Sequence, residues 1–504
     1  MLLESKVLNS PHRHLALWLF ATFQFFYMLT SSGRVRTPDE YNTLYTTESL
    51  VLHGTTAVPQ AVELHNFYGR RDVHGQPRAA YPPGHALAVA PWFAFGHFVL
   101  AKLPGVPAED DDLVVAFSSC LSSATFAALT ATFFFLLLAG LGAPLRTALT
   151  AAAILGLATP IFAYSAWLFS EPLSAAIFTG VAWLLFARKL RQVSVREIPL
   201  PTAVIAGLIL GLGALVRPTN VLAIAVFAVA IFARGGIAAL KPAFAFCVAS
   251  GVGVGLLLTH NAILFGSPFA FGYPAAAEGA KRLNSFGTPI TTGLYGFLLS
   301  PGKSIFLFAP PVILALAGLR ALWRRDRGLA TLAALFPLVD LLFFAKYSQW
   351  EGGYCVGPRY LVPALVLLCL GLGPILEKGG FGVKAFAAVL LIVGALVQCV
   401  SLATSFMEDQ AGHGRYYDAS WTYRLDYSLA GQISLLLKYL RSSQPARLGL
   451  GWDRWFVFLA KGGVSRATLA VLATAMAAGF VISLLGLTKS AAENGIASRL
   501  EERC

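Results

Sequence analysis

Long apolar stretches recur along this sequence, and they constrain its fold more than any other feature. Examples are 15–32, 113–140, 147–168, 201–216, 305–319, 361–376, 385–406 and 467–488. A helix of about 20 apolar residues crosses the ~30 Å hydrocarbon core of a bilayer. Only 12% of the residues are charged, whereas a soluble domain has about a quarter. The sequence therefore predicts an all-α polytopic membrane protein.

The first apolar stretch, 15–32, follows a short basic start that contains Lys6 and Arg13. It lacks a small-x-small cleavage pattern, so we interpret it as a retained membrane anchor and not as a signal peptide.

The cysteines predict neither a disulfide framework nor a cysteine metal site. Cys120, Cys247, Cys369 and Cys399 lie within apolar runs. Cys504 ends the sequence, and Cys355 lies in a predicted outer loop.

The apolar segment 84–101 decides the topology, because everything after it is inverted if it crosses the membrane. If it does not cross, all the short basic clusters fall on the cytoplasmic side: Arg188, Lys189, Arg191, Arg320, Arg324, Arg325, Arg327, Lys378, Lys384 and Lys489. Short cytoplasmic loops carry the Lys/Arg excess of membrane proteins. We therefore predict a surface-lying or re-entrant helix at 84–101. The same rule explains the net charge of +13 better than a nucleic-acid partner does.

The resulting map has about 12 transmembrane helices and both termini in the cytoplasm. The spans are 15–32, 113–138, 147–167, 172–187, 201–216, 219–233, 242–259, 305–322, 329–345, 361–376, 385–406 and 467–488. We divide the chain into three parts: a catalytic module at 1–406, an outer loop or small appended region at 407–466, and a last helix with a cytoplasmic tail at 467–504. The catalytic module includes the first extracytoplasmic loop, 33–112, which we expect to contain interfacial helices.

Two adjacent carboxylates, Asp39 and Glu40, open the first outer loop just beyond a span. The simplest interpretation is a helix cap, because a carboxylate after Pro38 suits a helix start. A helix-like stretch, 42–53, follows and ends at Gly54. The alternative is that a carboxylate here takes a proton from an acceptor hydroxyl.

The same loop supplies cations and a Pro-Pro turn, which give the alternative more weight. Arg78, Tyr81 and His85 surround that turn. Arginine can neutralise a phosphate leaving group, or it can bind lipid headgroups. Both roles place this loop at the membrane surface.

Two further charges interrupt apolar sequence and fall on the same predicted side. Glu171 lies between two spans, where a charge is expensive and points to function, although an N-cap by Ser170 with Glu171 at the helix dipole is the rival. Arg217 breaks another apolar region, and snorkelling to the interface is its simpler explanation.

Two later outer segments add candidate ligand-binding side chains. The first, 260–304, carries His260, Tyr273, Arg282 and Lys303. The second is aromatic and glycine-rich, and it includes Trp350, Glu351 and Arg359. Aromatic faces can stack on sugars and arginine can bind phosphate, but a tight turn would also use these glycines.

No Walker loop, dinucleotide fingerprint, His-Glu-x-x-His motif or Ser-His-Asp pattern is evident in the sequence, which disfavours nucleotide hydrolysis and zinc proteolysis. An activated substrate must then come by another route. An isoprenoid-phosphate donor dissolved in the bilayer fits a site at the outer edge of the membrane.

The order of these features resembles the GT-C superfamily of polyprenyl-phosphate-dependent glycosyltransferases. The resemblance is to relatives of protein O-mannosyltransferases and aminoarabinose transferases, and it covers roughly 15–365. It implies inverting transfer of a sugar from a polyprenyl-phosphate-linked donor to a hydroxyl of a protein, lipid or glycan at the extracytoplasmic face of the plasma (inner) membrane.

By position, the resemblance makes Asp39 the catalytic base with Glu40 its neighbour. Arg217 matches a basic residue of the family, and Glu171 stands where many relatives carry Asp. We expect Arg217, Arg359, Lys303 and Arg78 to bind the donor phosphate, and Glu171, Tyr81, His85, His260, Tyr273, Trp350 and Glu351 to bind substrate.

The sequence departs from the aminoarabinose transferases at Ala80-Tyr81, where an acidic-basic pair is replaced. A divalent metal is a candidate cofactor, and no ligand is assigned to it.

A ligase for lipid-linked glycans and a transporter or flippase of lipid-linked sugars are the alternative functions. Transporters show paired repeats and mid-membrane charges, whereas the ionisable residues of this chain gather at one face. The sequence names neither the sugar nor the acceptor.

Overall fold

The computed structural model describes residues 11–187, 198–273, 286–403, 429–441 and 454–501. The α-helices in these ranges are α1 (Pro11–Thr30), α2 (Pro38–His53), α3 (Pro59–Glu63), α4 (Gly84–Phe98), α5 (Asp111–Gly140), α6 (Leu145–Ala158), α7 (Pro160–Tyr164), α8 (Glu171–Phe186), α9 (Leu200–Leu212), α10 (Val221–Gly235), α11 (Leu240–Phe265), α12 (Ile290–Leu299), α13 (Ile305–Phe308), α14 (Val312–Arg325), α15 (Arg327–Lys346), α16 (Val362–Leu368), α17 (Leu372–Lys378), α18 (Phe381–Ala403), α19 (Leu429–Arg441), α20 (Trp455–Lys461) and α21 (Arg466–Glu501). Two short strands, β1 (Gly69–Arg71) and β2 (Pro77–Ala79), complete the description.

The helices coincide with the predicted spans, which confirms the all-helical polytopic architecture. Within the described ranges, seven helical segments are long and apolar enough to cross a membrane: Gly84–Lys102, Asp111–Gly140, Pro218–Phe265, Arg327–Lys346, Arg359–Lys378, Phe381–Ala403 and Arg466–Asn494. Shorter apolar helices occupy 145–158, 171–186 and 200–215.

The number of crossings and the division at 406 and 466 stay predictions. The basic cluster 188–191, Arg282 and most of 407–466 lie outside the described residues.

Large apolar side chains cover the outside of several helices. On α11, Phe244, Val248, Val252 and Leu256 are exposed and share one face, and α18 exposes a similar row. In water such a surface would drive aggregation. A bilayer accommodates it, so the exposed faces of α9, α11, α18 and α21 are lipid-facing.

One end of the bundle is held by ion pairs between helix termini. Arg234 Nη1, in the last turn of α10, lies 3.0 Å from Asp326 Oδ2 and 3.2 Å from the carbonyl oxygen of Phe186. Arg325, at the end of α14, contacts Glu377 near the end of α17. These helices therefore end on the same side, as the alternating topology predicts, and this end carries the basic clusters.

The segment between α1 and α5 leaves and returns at the other end of the bundle. Gly33 follows α1 and contacts Phe117 in the second turn of α5. An odd number of crossings between these helices is therefore excluded. Helix α2 buries many polar side chains, which agrees with the predicted surface-lying or re-entrant position of α4; because α4 is long and apolar enough to cross, this position stays a prediction.

Strands β1 and β2 form an antiparallel ribbon that was not anticipated from the sequence, with Arg70 opposite Arg78. Its turn is held by Asp72, whose Oδ1 accepts hydrogen bonds from the backbone N–H groups of His74 (2.8 Å) and Gln76 (2.9 Å). Burial opposes ionisation of Asp72, but these bonds and the guanidinium of Arg78 hold its pKa below the usual value.

Helices α9 and α11 approach until their backbones touch, which fixes the end of α9 just before Arg217. A Cβ atom on Gly211 would lie 2.2 Å from the carbonyl oxygen of Ser250, and one on Gly253 would lie 2.0 Å from the carbonyl carbon of Gly211. Gly207 and Gly211 form the small-xxx-small spacing that favours such contacts in membranes.

We predict that Gly211→Ala lowers the thermal unfolding midpoint of the purified protein, with a loss of about 1–3 kcal/mol from overpacking. Gly251→Ala is the matched control, because nothing lies within 4 Å of its added Cβ atom and alanine is the better helix former by about 1 kcal/mol. Equal midpoints for the two variants would contradict the close packing of α9 and α11.

Candidate active site

A cavity of about 350 Å³ lies at the end of the bundle opposite the basic clusters. The start of α2, the start of α4, the 213–219 turn and the end of α15 surround it. Its lining combines ionisable, neutral polar and aromatic side chains: Asp39, Asn42, Thr43, Thr46, Tyr68, Tyr81, His85, Arg217, Tyr273, Phe343, Phe344, Tyr347, Arg359 and Tyr360 are among them. Six of the residues proposed from sequence are therefore brought together here.

Asp39 supplies a carboxylate to the cavity wall. The Tyr81 hydroxyl donates a hydrogen bond to its Oδ1, and Arg359 Nη1 lies 2.5 Å from its Oδ2. About a fifth of the side chain, 21%, is exposed. A carboxylate retains further lone pairs when two are used, so Asp39 can still accept a proton from a molecule in the cavity.

Glu171 lies beneath the cavity wall and joins the two arginines. Its side chain is fully buried. Its Oε1 accepts a hydrogen bond from Arg359 Nε at 2.7 Å and forms an ion pair with Arg217 Nη1 at 3.0 Å. The charges therefore alternate from Asp39 through Arg359 and Glu171 to Arg217, and they sum to zero.

Arg217 is presented by a break between helices. Its backbone is extended, because Pro218 disfavours the helical conformation in the preceding residue. The Asn220 amide secures the turn by donating to the carbonyl oxygen of Gly213 (2.9 Å) and to Ser174 Oγ on α8 (3.0 Å). Two hydrogen bonds from one buried side chain thus fix the start of α10 relative to α8.

Arg359 follows a turn that needs glycine. The φ angles of Gly352, Gly353 and Gly357 are +83°, +67° and +60°, in the left-handed region that favours glycine. The Arg359 guanidinium lies over the Phe169 ring, 4.2 Å from its centroid, and Arg217 lies 5.6 Å from the Tyr360 centroid. Aromatic faces stabilise cations there without neutralising their charge.

The tyrosines beside Asp39 remain protonated at neutral pH. Burial and the neighbouring Asp39 charge raise the pKa of Tyr81 well above its usual value. The same two causes raise the pKa of Tyr273 to about 12. Tyr81 is therefore a hydrogen-bond donor to Asp39 and not a competing anion.

Glu40 is not part of the cavity, so its expected place beside the catalytic base is corrected. Thr37 is the N-cap of α2, and Glu40 completes a capping box. Its Oε2 accepts from the backbone N–H groups of Arg36 and Thr37, both at 3.0 Å. The cap interpretation is right for Glu40 and wrong for Asp39. The rival interpretation is right about position, because Ser170 is the N-cap residue of α8 and Glu171 lies in its first turn, but the Ser170 side chain makes no capping hydrogen bond.

Arg78 and His260 lie outside the main cavity. Arg78 Nε donates to Asp72 Oδ2 at 2.8 Å and Nη1 donates to Thr56 Oγ1 at 2.8 Å, so the ribbon holds this side chain. His260 lies with it on a second cavity of about 10 Å³. Neither residue is placed to bind a phosphate beside Asp39.

The 350–355 turn and Lys303 form a buried support behind Arg359. Trp350 is 1% exposed and packs edge-to-face on Phe297, so it does not offer a stacking face. Lys303 Nζ donates to the carbonyl oxygen of Cys355 at 3.0 Å and lies 3.1 Å from its Sγ. Glu351 is buried and does not line the cavity. The expected substrate or phosphate contacts of these residues are therefore corrected to a role in holding the turn.

The structure adds cavity residues that the sequence analysis missed. Asn42, Thr43 and Thr46 follow Asp39 at the i+3, i+4 and i+7 positions of α2, and all four line the cavity. This spacing puts side chains on one helix face. The polar repeat was present in the sequence and could have identified them.

The described residues contain no group of three His, Cys, Asp or Glu side chains that could hold a metal ion. Both carboxylates of the site are paired with arginine. The candidate divalent metal therefore finds no assembled ligand set in this part of the chain.

Comparisons with known proteins give a distant similarity. No family model matches the sequence, and no curated protein matches it. Among solved structures, the fold is similar to ArnT from Cupriavidus metallidurans bound to undecaprenyl phosphate, with a TM-score of 0.46, 16% identity, and coverage of 94% of this chain and 76% of that one. The apo state of ArnT gives 0.46, 14%, 92% and 74%. At these values the neighbours assign neither a family nor a function to this chain.

We predict that Glu351 makes the protein lose stability as the pH rises from about 4.5 to about 7. Burial raises the pKa of Glu351 from 4.5 to about 7, and Lys303 opposes this only partly. The folded state then binds a proton that the unfolded state has already released, so stability is highest below about pH 4.5 and falls as the pH rises to about 7. One pKa unit corresponds to about 1.4 kcal/mol, so the loss is on the order of 3 kcal/mol.

Thermal unfolding of the wild type and Glu351→Gln between pH 5 and 8 measures this effect. We expect the midpoint difference to move in favour of Glu351→Gln as the pH rises. A difference that stays constant over this range would contradict the buried position of Glu351.

Proposed function

We propose that this chain is a membrane glycosyltransferase that moves a sugar from a polyprenyl-phosphate-linked donor to a hydroxyl acceptor, with inversion, at the extracytoplasmic face. One observation carries the proposal: Asp39, a partly exposed carboxylate in the cavity, is ion-paired to Arg359, and Arg217 lies on the same wall. A base and two phosphate-binding cations thus share one space.

The charge balance of the site suits this reaction. The four linked groups sum to zero in the absence of substrate, and a polyprenyl-phosphate sugar is a phosphodiester with one negative charge. When the sugar leaves, the phosphate becomes a monoester with a charge of about −1.5 to −2. The site must therefore stabilise additional negative charge during the transfer.

Proton transfer to Asp39 supplies that stabilisation. The acceptor oxygen attacks the anomeric carbon while the bond between that carbon and the phosphate oxygen breaks, and the electron pair stays on the phosphate. The acceptor proton moves to Asp39, which becomes neutral, so Arg359 is released to interact with the phosphate. A single displacement from the opposite face inverts the anomeric centre.

The lipid part of the donor is given a path by α15. Phe343 and Phe344 line the cavity, whereas Leu338 and Leu342 on the same helix are 49% and 40% exposed on the outside of the bundle. An isoprenoid chain lying across this helix would remain in apolar surroundings while its phosphate reached Arg217 and Arg359.

The proposed sidedness follows from the two ends of the bundle. The end opposite the cavity carries Arg234, Arg320, Arg324, Arg325 and Arg327. The positive-inside rule assigns such an end to the cytoplasm, which supports an extracytoplasmic position for the cavity.

Binding of undecaprenyl phosphate to the purified protein tests the phosphate site. Arg217→Gln should weaken binding about tenfold or more, because hydrogen bonds to charged groups contribute about 1.5–3 kcal/mol. Arg217→Lys retains the charge and should weaken it less. Asp39→Asn should leave binding intact or strengthen it, since it removes a negative charge. Unchanged binding by Arg217→Gln would reject this residue as a phosphate ligand.

Turnover of the native lipid-linked donor in isolated membranes tests the base. We predict that Asp39→Asn slows transfer by about 10²–10⁴ while expression and the unfolding midpoint are retained. Full transfer by this variant would eliminate Asp39 as the base. The two measurements separate the roles, because Asp39→Asn should impair turnover without impairing phosphate binding.

A further inference from the structure

Three side chains on the cavity wall have buried polar atoms without hydrogen-bond partners. The atoms without partners are Oδ1 and Nδ2 of Asn42, Oγ1 of Thr46 and Nε2 of His85. The three residues are 2%, 4% and 4% exposed, and all line the cavity. Buried polar groups in proteins are nearly always satisfied, so their common position on a cavity wall points to a ligand that supplies the missing partners.

The surroundings show that these groups are held in place. Thr43 Oγ1 is 3.2 Å from His85 Nδ1, which orients the imidazole so that Nε2 is the nitrogen without a partner. Thr47 Oγ1 donates to the carbonyl oxygen of Ala86 at 3.2 Å and ties α2 to α4. Asn42 and Thr46 occupy successive turns of one face of α2, so they form a rigid polar strip with His85 beside it.

We infer that Asn42, Thr46 and His85 form the subsite for the sugar of the donor, and that this sugar is uncharged and rich in hydroxyl groups. The inference rests on the proposed function, because it places a glycosyl group beside Asp39. Amide, hydroxyl and imidazole groups both donate and accept hydrogen bonds, which matches sugar hydroxyls that do the same. The aromatic rings of Tyr68 and Tyr81 on the same cavity wall suit the apolar faces of a sugar ring.

The distribution of charge argues against a cationic amino sugar. Among the described lining residues, Asp39 is the only carboxylate, and it is paired with Arg359. Glu171 pairs with both arginines and Asp39 with Arg359, so no carboxylate of the wall is left free to pair with an ammonium group. An amino sugar would therefore lose hydration without gaining a free carboxylate.

Binding of four probe lipids to the purified protein tests this inference. They are undecaprenyl phosphate alone and undecaprenyl phosphate linked to glucose, to mannose or to 4-amino-4-deoxyarabinose. We expect at least one neutral sugar lipid to bind about tenfold more tightly than undecaprenyl phosphate, and the amino sugar lipid to show no such gain.

Isosteric variants assign the gain to the strip. Asn42→Leu and Thr46→Val should reduce the affinity for the neutral sugar lipid to that for undecaprenyl phosphate alone, and leave the latter unchanged. Thr132→Val is the matched control, since it makes the same change at a buried threonine of α5 whose hydroxyl donates to its own helix and which does not line the cavity, and it should preserve the tenfold ratio.

The outcomes separate this inference from the proposed function. If undecaprenyl phosphate binds but no neutral sugar adds affinity, or the amino sugar lipid binds best, the inference is overturned and the phosphate site stands. If the gain survives Asn42→Leu and Thr46→Val, the sugar lies elsewhere and the inference is again overturned. If none of the four lipids binds, both the inference and the proposed function fail.

Discussion

The buried carboxylate of Glu171 is the constraint on which the site depends. A carboxylate at membrane depth costs several kcal/mol unless it is paired, and here it is paired with both Arg217 and Arg359. These three residues come from the start of α8, the break before α10 and the turn before α16. Because removal of any one leaves an uncompensated buried charge, the network forces three distant segments to meet at one point.

The first outer segment completes the site without adding to the buried charge. Helix α2 begins at a capping box in which the Glu40 carboxylate accepts hydrogen bonds from backbone N–H groups. A different face of the helix places Asp39 against Arg359. The same face continues as Asn42 and Thr46. One short helix that does not cross the membrane thus supplies both the candidate base and the neutral polar strip, while the spans supply the arginines.

The sequence predicted the helices well and the site partly, for physical reasons. Apolar length and basic clusters locate spans and their direction, because the bilayer imposes both, and Gly54 ends α2 as expected. Asp39, Glu171, Arg217 and Arg359 stood out as charges beside apolar sequence. Their pairing could not be derived, since Glu171 and Arg359 are separated by 188 positions and no local pattern links them.

The misplaced residues show the limit of sequence proximity. Glu40 is adjacent to Asp39, and Trp350 and Glu351 precede Arg359 in the same turn, yet each points into the protein interior and not into the cavity. A turn built on glycines of positive φ reverses its direction within a few residues, so neighbours in sequence face different surroundings. Cys355, expected in an outer loop, lies in this turn and is fully buried.

Mass spectrometry of lipid-linked sugars and envelope glycans tests the central claim most directly. Cells that produce the wild-type chain are compared with cells that lack it and with cells that produce Asp39→Asn. The account predicts that a polyprenyl-phosphate sugar accumulates and one glycan loses that sugar, both without the chain and with Asp39→Asn. Unchanged lipid-linked sugars and glycans in the cells that lack the chain would contradict it.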